Sequence, residues 1–240
     1  MSPRRVLVTG AASGLGAALT AAFRARGDEV LATDLTPPDG DRPGLALDVL
    51  VNHAGVAGGG RVDVCTLDEW QWLTDVNLFG VVRGTRAFTP MLKAQGSGLV
   101  VNVASLAGLV HPPGMASYNA VKAAVVAFSE TVGHELAPYG VGCAVVCPSY
   151  FRTNLMHAMR GSDADVAAKV AAMVERSPIT ADEIAAAVLK GIDDGTDLIL
   201  PDEPARAAYA LKVADRAAYD AEMQRTARRM KDRAKEETDG

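Results

Sequence analysis

The sequence has few aromatic residues and no apolar run long enough to cross a bilayer. Two tryptophans, five tyrosines and five phenylalanines stand among 240 residues, while alanine, glycine and valine are abundant. This composition suits close packing of helices on a sheet. The first residues lead directly into a strand-like run, without the apolar core of a signal peptide. Together these absences predict a soluble, cytoplasmic protein with no membrane partner.

An excess of positive charge is also lacking. The formal net charge is −5, which argues against nucleic acid or an anionic membrane as a partner. Basic residues cluster only in the C-terminal tail, where acidic residues interleave with them. The sequence therefore favours a protein that acts on a small molecule.

Cysteine and histidine patterns predict neither a disulfide nor a metal site. The three cysteines, Cys65, Cys143 and Cys147, have no C-x-x-C spacing. Cys143 and Cys147 fall in one strand-like run, which places them about 13 Å apart, too far for a disulfide. The four histidines show no spacing typical of a metal site. We expect buried thiols in a reducing compartment.

The N-terminal third begins with an alternation of strand, glycine turn, helix and strand, which is typical of a parallel α/β sheet. An apolar strand at residues 6–8 precedes the turn, a helix over residues 17–26 ends at Gly27, and a second strand covers residues 29–33. Glycines in such a turn permit tight folding, close approach of a pyrophosphate and close helix packing. The helix N-terminus then faces the anion. The predicted dinucleotide contacts are Gly10, Ser13, Gly14, Leu15 and Gly16.

Asp34 follows the second strand and predicts which dinucleotide binds. A carboxylate there can accept the two ribose hydroxyls and repels a 2′-phosphate. No arginine or lysine lies inside the glycine turn or beside Asp34. This combination favours NAD over NADP.

Tyr118 and Lys122 form the candidate catalytic pair. Residues four apart lie on one face of a helix, and a nearby cation should lower the pKa of the phenol. An isolated pair of this kind is more often a solvated helix face. Ser105, however, ends the buried strand of residues 99–104, at the edge where open α/β sheets bind ligands. We therefore predict that the tyrosine, lysine and serine form one site.

Asn77 stands inside a predicted helix that begins with the Thr66/Glu69 capping box and runs toward Lys93. Asparagine is a poor helix former because its side chain competes for backbone groups. Its position there points to a role beyond helix formation.

Taken together, these motifs resemble the short-chain dehydrogenase/reductase family. The glycine turn has the form Thr-Gly-x3-Gly-x-Gly, and residues 52–55 resemble the family's Asn-Asn-Ala-Gly segment, with His53 in place of the second asparagine. Residues 148–153 resemble its Pro-Gly-x3-Thr loop, with Ser149 in place of the glycine. The resemblance covers almost the whole chain.

The resemblance implies a Rossmann-like, doubly wound parallel sheet in a single α/β domain. Residues 1–202 would form the dinucleotide-binding catalytic domain, with a substrate lid at about 150–180, and residues 203–240 a charged helical extension. The family is usually oligomeric through the helices that carry Asn77 and Tyr118. We therefore expect a homodimer or homotetramer.

The implied reaction is hydride transfer between NAD and a secondary alcohol or ketone. Tyr118 would be the general acid/base, Ser105 would bind the substrate oxygen, Lys122 would bind the nicotinamide ribose, and Asn77 would hold a relay water. The alternatives are an NADP-dependent ketoreductase and a non-catalytic nucleotide sensor on the same fold. Further implied cofactor contacts are Asp48, Val49, Asn52, Ala54, Gly55, Tyr118, Lys122, Pro148 and Thr153. The predicted substrate contacts are Ser105, Met115, Tyr118, Tyr150 and Met156, which favour an apolar substrate.

One join does not fit this pattern. Residues 45–49 predict a third strand and residues 50–55 the end of a fourth, with no space between them for a crossover helix. Either the protein fuses two strands and lacks a helix, or a segment is missing between them from the sequence. We favour the missing segment.

Overall fold

A computed structural model describes residues 2–34, 46–153 and 159–238, with side chains described up to residue 231. Its centre is a six-stranded parallel sheet in the order β2-β1-β3-β4-β5-β6. Strand order reverses between β1 and β3, which makes the fold doubly wound as predicted. The strands are β1 (Arg5–Thr9), β2 (Glu29–Thr33), β3 (Val49–Asn52), β4 (Gly98–Val103), β5 (Val141–Val146) and β6 (Leu198–Ile199).

Helices cover both faces of the sheet, and several begin where the sequence predicts. The capping boxes of Thr66 with Glu69 and of Thr180 with Glu183 are both formed, so paired side-chain and backbone bonds fix these two helix starts. The helices are α1 (Gly14–Ala25), α2 (Leu67–Asn77), α3 (Phe79–Gln95), α4 (Ala107–Val110), α5 (Ala116–Leu136), α6 (Ala164–Glu175), α7 (Ala181–Asp193), α8 (Glu203–Ala214) and α9 (Arg216–Thr238), with a 3-10 turn at Ala137–Tyr139.

Two local predictions differ from the structure. The helix expected from Leu67 toward Lys93 is divided at Leu78, where ψ of −59° accompanies a φ of −103°. Residues 106–117, whose glycines and prolines predict a loop, contain α4, a single helical turn whose four residues are all buried. Burial against neighbouring elements stabilises a turn this short, which would not persist in isolation.

The join near residue 50 is a single strand. Val49, Leu50 and Val51 pair in consecutive register with β1, and the same residues pair with β4. Residues 49–52 therefore form one continuous strand, as the fused-strand alternative describes, and the missing segment stays a prediction. Residues 46–48 are not part of a separate third strand. Within the described ranges, no strand pairs with the outer edge of β2.

The core consists of apolar layers on the two faces of the sheet. On one face, Leu19 and Phe23 of α1 pack with Val188 of α7 against β1 and β3. On the other face, Leu92 of α3 and Val132 of α5 pack against β3, β4 and β5. Burying an aliphatic or aromatic side chain contributes roughly 1.5–3 kcal/mol, so these layers hold the strand ends in fixed positions.

The C-terminal helices pack on the rest of the chain. Tyr219 of α9 is 4% exposed, and its hydroxyl donates to the carbonyl of Val110 at the end of α4. Lys212 of α8 donates to the carbonyl of Leu109. These contacts fasten the predicted extension to the segment that follows Ser105.

In the described part of the chain, no helix is both long enough and apolar enough to cross a membrane. Cys65, Cys143 and Cys147 are all free thiols.

Candidate active site

The glycine turn and the loop after β3 meet at the carboxyl edge of the sheet. Gly10 has a φ of +68°, and a Cβ there would lie 2.7 Å from Cα of Ala54. Only glycine fits because the position requires a left-handed backbone and tolerates no side chain. The hydroxyl of Thr9 accepts hydrogen bonds from the backbone N–H groups of His53 and Ala54, each at 3.1 Å.

The N-terminus of α1 fits an anionic group. Ser13 is the N-cap residue but makes no side-chain capping bond, and the first turn contains no acidic residue. The first amide groups of α1 are therefore not capped by the Ser13 side chain, and the helix dipole favours negative charge there. Gly14 has a φ of +53°, and a Cβ on it would lie 2.6 Å from Oγ1 of Thr153. The turn can thus cradle a pyrophosphate, and Thr153 borders the same space.

Asp34 stands directly after β2, beside the turn. Its Oδ2 accepts a hydrogen bond from the backbone N–H of Ala12 at 2.9 Å. This bond holds the carboxylate against the glycine turn.

His53 belongs to this site, although sequence reasoning did not assign it a role. Its Nδ1 lies 3.2 Å from the carbonyl oxygen of Gly10, and a Cβ on Gly16 would lie 2.7 Å from the same nitrogen. Burial, followed by the charge of Lys122, lowers the pKa of His53 from 6.5 to about 4. The ring is therefore neutral at pH 7. The substitution in the Asn-His-Ala-Gly segment was the only signal for it.

We expect His53 to make the fold sensitive to mild acid. The folded state binds the imidazole proton more weakly than the unfolded state. The stability that neutral His53 contributes is therefore complete above about pH 6.5 and is lost as the pH falls toward 4. The ring is half-buried, so we expect the loss to be about 2 kcal/mol, below the full linkage value. The free energy of unfolding, measured in urea, should fall more between pH 7.5 and pH 4.5 for wild type than for His53→Asn. The exposed His134→Asn serves as the control, and parallel declines for wild type and His53→Asn would contradict the assignment.

Ser105, Tyr118 and Lys122 come together at the end of β4. The hydroxyl of Ser105 is near enough to Tyr118 to act on its pKa, and Oγ of Ser105 accepts a hydrogen bond from the backbone N–H of Ala107 at 3.2 Å. Lys122 is 6% exposed, and its Nζ donates to the carbonyl of Val103 at 3.0 Å. That nitrogen lies 5.8 Å from the centroid of the Tyr118 ring.

The expected lowering of the Tyr118 pKa is wrong for this structure. Burial raises the pKa of Tyr118 to about 12, although the hydrogen bond from Ser105 acts in the opposite direction. Lys122 does not compensate because it is itself desolvated, which lowers its pKa to about 8. Spacing along the helix predicted the proximity of the two groups but not the loss of solvent around both of them.

Asn77 is the last residue of α2 and closes the helix onto the loop after β3. Its Oδ1 accepts from the backbone N–H of Val56 at 2.8 Å, and its Nδ2 donates to the carbonyl of the same residue at 3.0 Å. A Cβ on Gly55 would lie 2.9 Å from Oδ1 of Asn77. These bonds explain why an asparagine stands where the helix divides.

Three predicted cofactor residues do not join the cleft through their side chains. Val49 begins β3 and Asp48 directly precedes it, at the end opposite the glycine turn. The Asp48 carboxylate accepts hydrogen bonds from the backbone N–H and Nε of Arg5. Asn52 is 3% exposed, and its Nδ2 donates to Thr85 and to Asn102. Asp48 lies at this end of the sheet because the two expected strands are fused into one. Its segment enters the sheet where the fourth strand was expected to begin.

The remaining predicted residues border the site or lie outside the described chain. The carbonyl of Pro148 accepts from the backbone N–H of Leu106, next to Ser105. Tyr150 donates through its hydroxyl to Sδ of Met115 at 3.4 Å, and both pack with Tyr118 in one apolar cluster. Met156 lies outside the described residues.

Comparison with known proteins gives the class to which this fold and site belong. A family model described as short chain dehydrogenase matches residues 44–164. A 2-(R)-hydroxypropyl-CoM dehydrogenase of Xanthobacter autotrophicus is 32% identical over 225 residues, which cover 78% of this chain and 90% of that protein. The chain belongs to the short-chain dehydrogenase/reductase family, whose enzymes use nicotinamide cofactors and act on small molecules.

Other relatives share only part of their length. A 3-oxoacyl-[acyl-carrier-protein] reductase of Synechocystis is 39% identical over 109 residues, which cover 45% of this chain and 44% of that protein. Among solved structures, a short-chain dehydrogenase/reductase from Burkholderia phymatum in complex with NAD has a TM-score of 0.75 and 26% identity, covering 89% of this chain and 94% of that chain. A short chain dehydrogenase from Burkholderia cenocepacia in complex with NADP has a TM-score of 0.77 and 26% identity, and the match covers 92% of this chain and 98% of that chain.

Proposed function

We propose that the protein transfers a hydride between NAD and a secondary alcohol or ketone, with Tyr118 as the general acid/base. The observation that carries this proposal is the placement of Ser105, Tyr118 and Lys122 beside the glycine turn, at one edge of the sheet. A nucleotide sensor would have no use for a tyrosine next to a strand-end serine. The nicotinamide cofactor, when bound, supplies or accepts the hydride.

Tyr118 and Ser105 have separate tasks at the substrate oxygen. Tyr118 Oη gives a proton to that oxygen in reduction and removes one in oxidation. Ser105 Oγ holds the same oxygen and stabilises the charge that develops on it. A pKa near 12 keeps Tyr118 protonated at neutral pH, so the free enzyme holds the proton that reduction of a ketone requires.

Lys122 and Asn77 act around this proton transfer. Lys122, already aimed at the carboxyl end of β4 by its bond to Val103, is placed to bind the ribose hydroxyls of the cofactor. We infer that Asn77, which fixes the loop at Val56, holds the relay water at the helix division. Both roles are those that the family resemblance implies for a lysine and an asparagine at these positions.

Asp34 supports NAD as the preferred cofactor. Its carboxylate lies against the glycine turn through Ala12, where a 2′-phosphate would meet a negative charge at short range. Related structures contain NAD in one case and NADP in another, so the preference rests on this residue.

We expect turnover of secondary alcohols to be faster with NAD than with NADP. Absorbance of the reduced nicotinamide, followed over a panel of apolar alcohols and ketones, measures both preferences. The ratio of kcat/KM for the two cofactors should be about 100, which corresponds to about 2.7 kcal/mol. The ratio should fall at least tenfold in Asp34→Ser, because at least about 1.4 kcal/mol of repulsion and hydrogen bonding would be lost. Equal use of both cofactors by wild type would contradict the preference for NAD, and a preference for NADP would favour the NADP-dependent ketoreductase. Cofactor binding without turnover of any substrate would favour the sensor.

The substrate is expected to be apolar near its reacting carbon. Met115 is 7% exposed and packs with Tyr118 and Tyr150 in the same cluster, so the space beside the tyrosine is lined by thioether and aromatic groups. The homodimer or homotetramer and the cytoplasmic location stay predictions.

A further inference from the structure

A large cavity lies between the lid helix α6 and the two C-terminal helices. Its volume is about 1170 Å³, above the roughly 300–1,000 Å³ of ordinary ligand pockets. Leu106, Ser149 and Tyr150 line one end of it. Because Tyr150 contacts Met115, and both residues pack with Tyr118, this end borders the proposed reaction site.

Helix α9 contributes the opposite wall. Thr226, Arg229 and Met230 line the cavity, and Met230 also packs with Met115 and Tyr118. A Cβ on Gly114 would lie 2.6 Å from Cε of Met230, so the helix lies directly on the segment that precedes Tyr118. The C-terminal extension is therefore part of the wall around the substrate.

The charged groups on this wall are mostly cations. Arg61, Lys169, Arg176 and Arg229 line the cavity, and Asp165 is the single acidic residue that does so among those described. Asp165 is engaged by Nη2 of Arg61 at 3.2 Å, and Arg61 is held in addition by the buried carboxylate of Asp163 at 2.7 Å. The charge of Arg61 is thus balanced within the protein.

Arg176 and Arg229 differ from Arg61 in this respect. Both are exposed, and among the described residues no ion pair within 4.0 Å is formed by either. Glu222, one of the acids on α9, is paired with Arg225 and interacts with Arg229 only at longer range. Two guanidinium groups without an ion-pair partner among the described side chains therefore line the cavity, and their planar donors suit a carboxylate, sulfonate or phosphate.

We propose that this cavity binds the far end of the substrate, that this end carries an anionic group, and that Arg176 and Arg229 select it. The substrate would thus have an apolar segment beside Tyr118 and an anion at its other end. The inference rests on the proposed function, because that function places the reacting carbon beside Tyr118. It adds a determinant of specificity contributed by the C-terminal helix.

The turnover test compares substrates that differ only in the terminal group. Hydroxyalkanes of one chain length carrying a terminal carboxylate, sulfonate, phosphate or carboxamide are assayed with NAD across several chain lengths. We expect the best anion to exceed the carboxamide in kcat/KM by about 10- to 100-fold, the range of a charge-assisted bond. The order among the three anions identifies the group. Arg229→Gln and Arg176→Gln should each remove most of this advantage through KM and leave the carboxamide unchanged.

Arg228→Gln is the matched control, because Arg228 neighbours Arg229 on α9 but does not line the cavity. A carboxamide as good as the anions, or equal losses in Arg228→Gln and Arg229→Gln, would overturn the inference. Calorimetric titration of the corresponding alkyl anions and amides, in the presence of NAD, tests it without turnover. Binding of anions that is weakened by Arg229→Gln supports the anion site even if no alcohol reacts, in which case only the proposed reaction fails. Equal affinity for anions and amides refutes the site.

Discussion

Tyr118→Phe should lower kcat by about 1,000-fold, within the range of roughly 10²–10⁴ for loss of a positioned acid or base. The substitution removes one oxygen and keeps the ring, which packs with Met115 and Tyr150. The affinity for NAD should stay within about twofold, because the hydroxyl that is lost serves the substrate oxygen and the Ser105 bond. Steady-state rates and fluorescence titration with the reduced cofactor measure the two quantities separately.

The matched control for this variant is Tyr139→Phe. Tyr139 is 47% exposed on the 3-10 turn after α5, where its ring lies 4.2 Å from Nζ of Lys93. Loss of its hydroxyl leaves that contact and should leave kcat unchanged. If Tyr118→Phe kept more than a tenth of the wild-type rate, the proton would have to come from another group.

Gly14→Ala should weaken NAD binding by about 10- to 100-fold, equivalent to roughly 1.4–2.7 kcal/mol. The new methyl group would lie 2.6 Å from Oγ1 of Thr153 and would displace that hydroxyl from the edge of the cradle. It would also stand in the space that the glycine leaves for a pyrophosphate at the start of α1. Calorimetric titration with NAD gives the change in affinity directly.

Gly27→Ala separates this effect from backbone strain. Gly27 has a φ of +92°, in the region that disfavours side chains, but a Cβ there meets nothing within 4 Å. Both substitutions should therefore cost about 1–2 kcal/mol of unfolding free energy, whereas only Gly14→Ala should lose NAD affinity. Equal losses of affinity in the two variants would show that general destabilisation, and not the cradle, is responsible.

Several features of the protein were predictable from short stretches of sequence. The glycine turn, the strand-end Ser105 and the Tyr118/Lys122 spacing are each contained in a few consecutive residues. The two capping boxes are four-residue patterns that can be read from the sequence, and both form in the structure. Local patterns of this kind are reliable because the interactions that they encode are made between neighbours along the chain.

Residues 45–52 show where local patterns fail. Both halves of this segment have the composition of a strand, but a sheet position between β1 and β4 accepts only one. Asp48 therefore lies at the amino end of β3, bound to Arg5, and not beside the cofactor cleft. Pairing with distant strands decides which candidate segment becomes β3. A local sequence pattern carries no information about that pairing.

The sequence by itself determined the family, the parallel sheet and the identity of the candidate catalytic groups. The tertiary structure decided what surrounds them: that burial raises the pKa of Tyr118, that His53 contacts Gly10, and that α9 closes the cavity with Met230 and Arg229. Residue type and spacing specify which groups are available. Solvent exclusion and contacts between segments far apart in the chain exist only after folding, and they set the charge and surroundings of those groups.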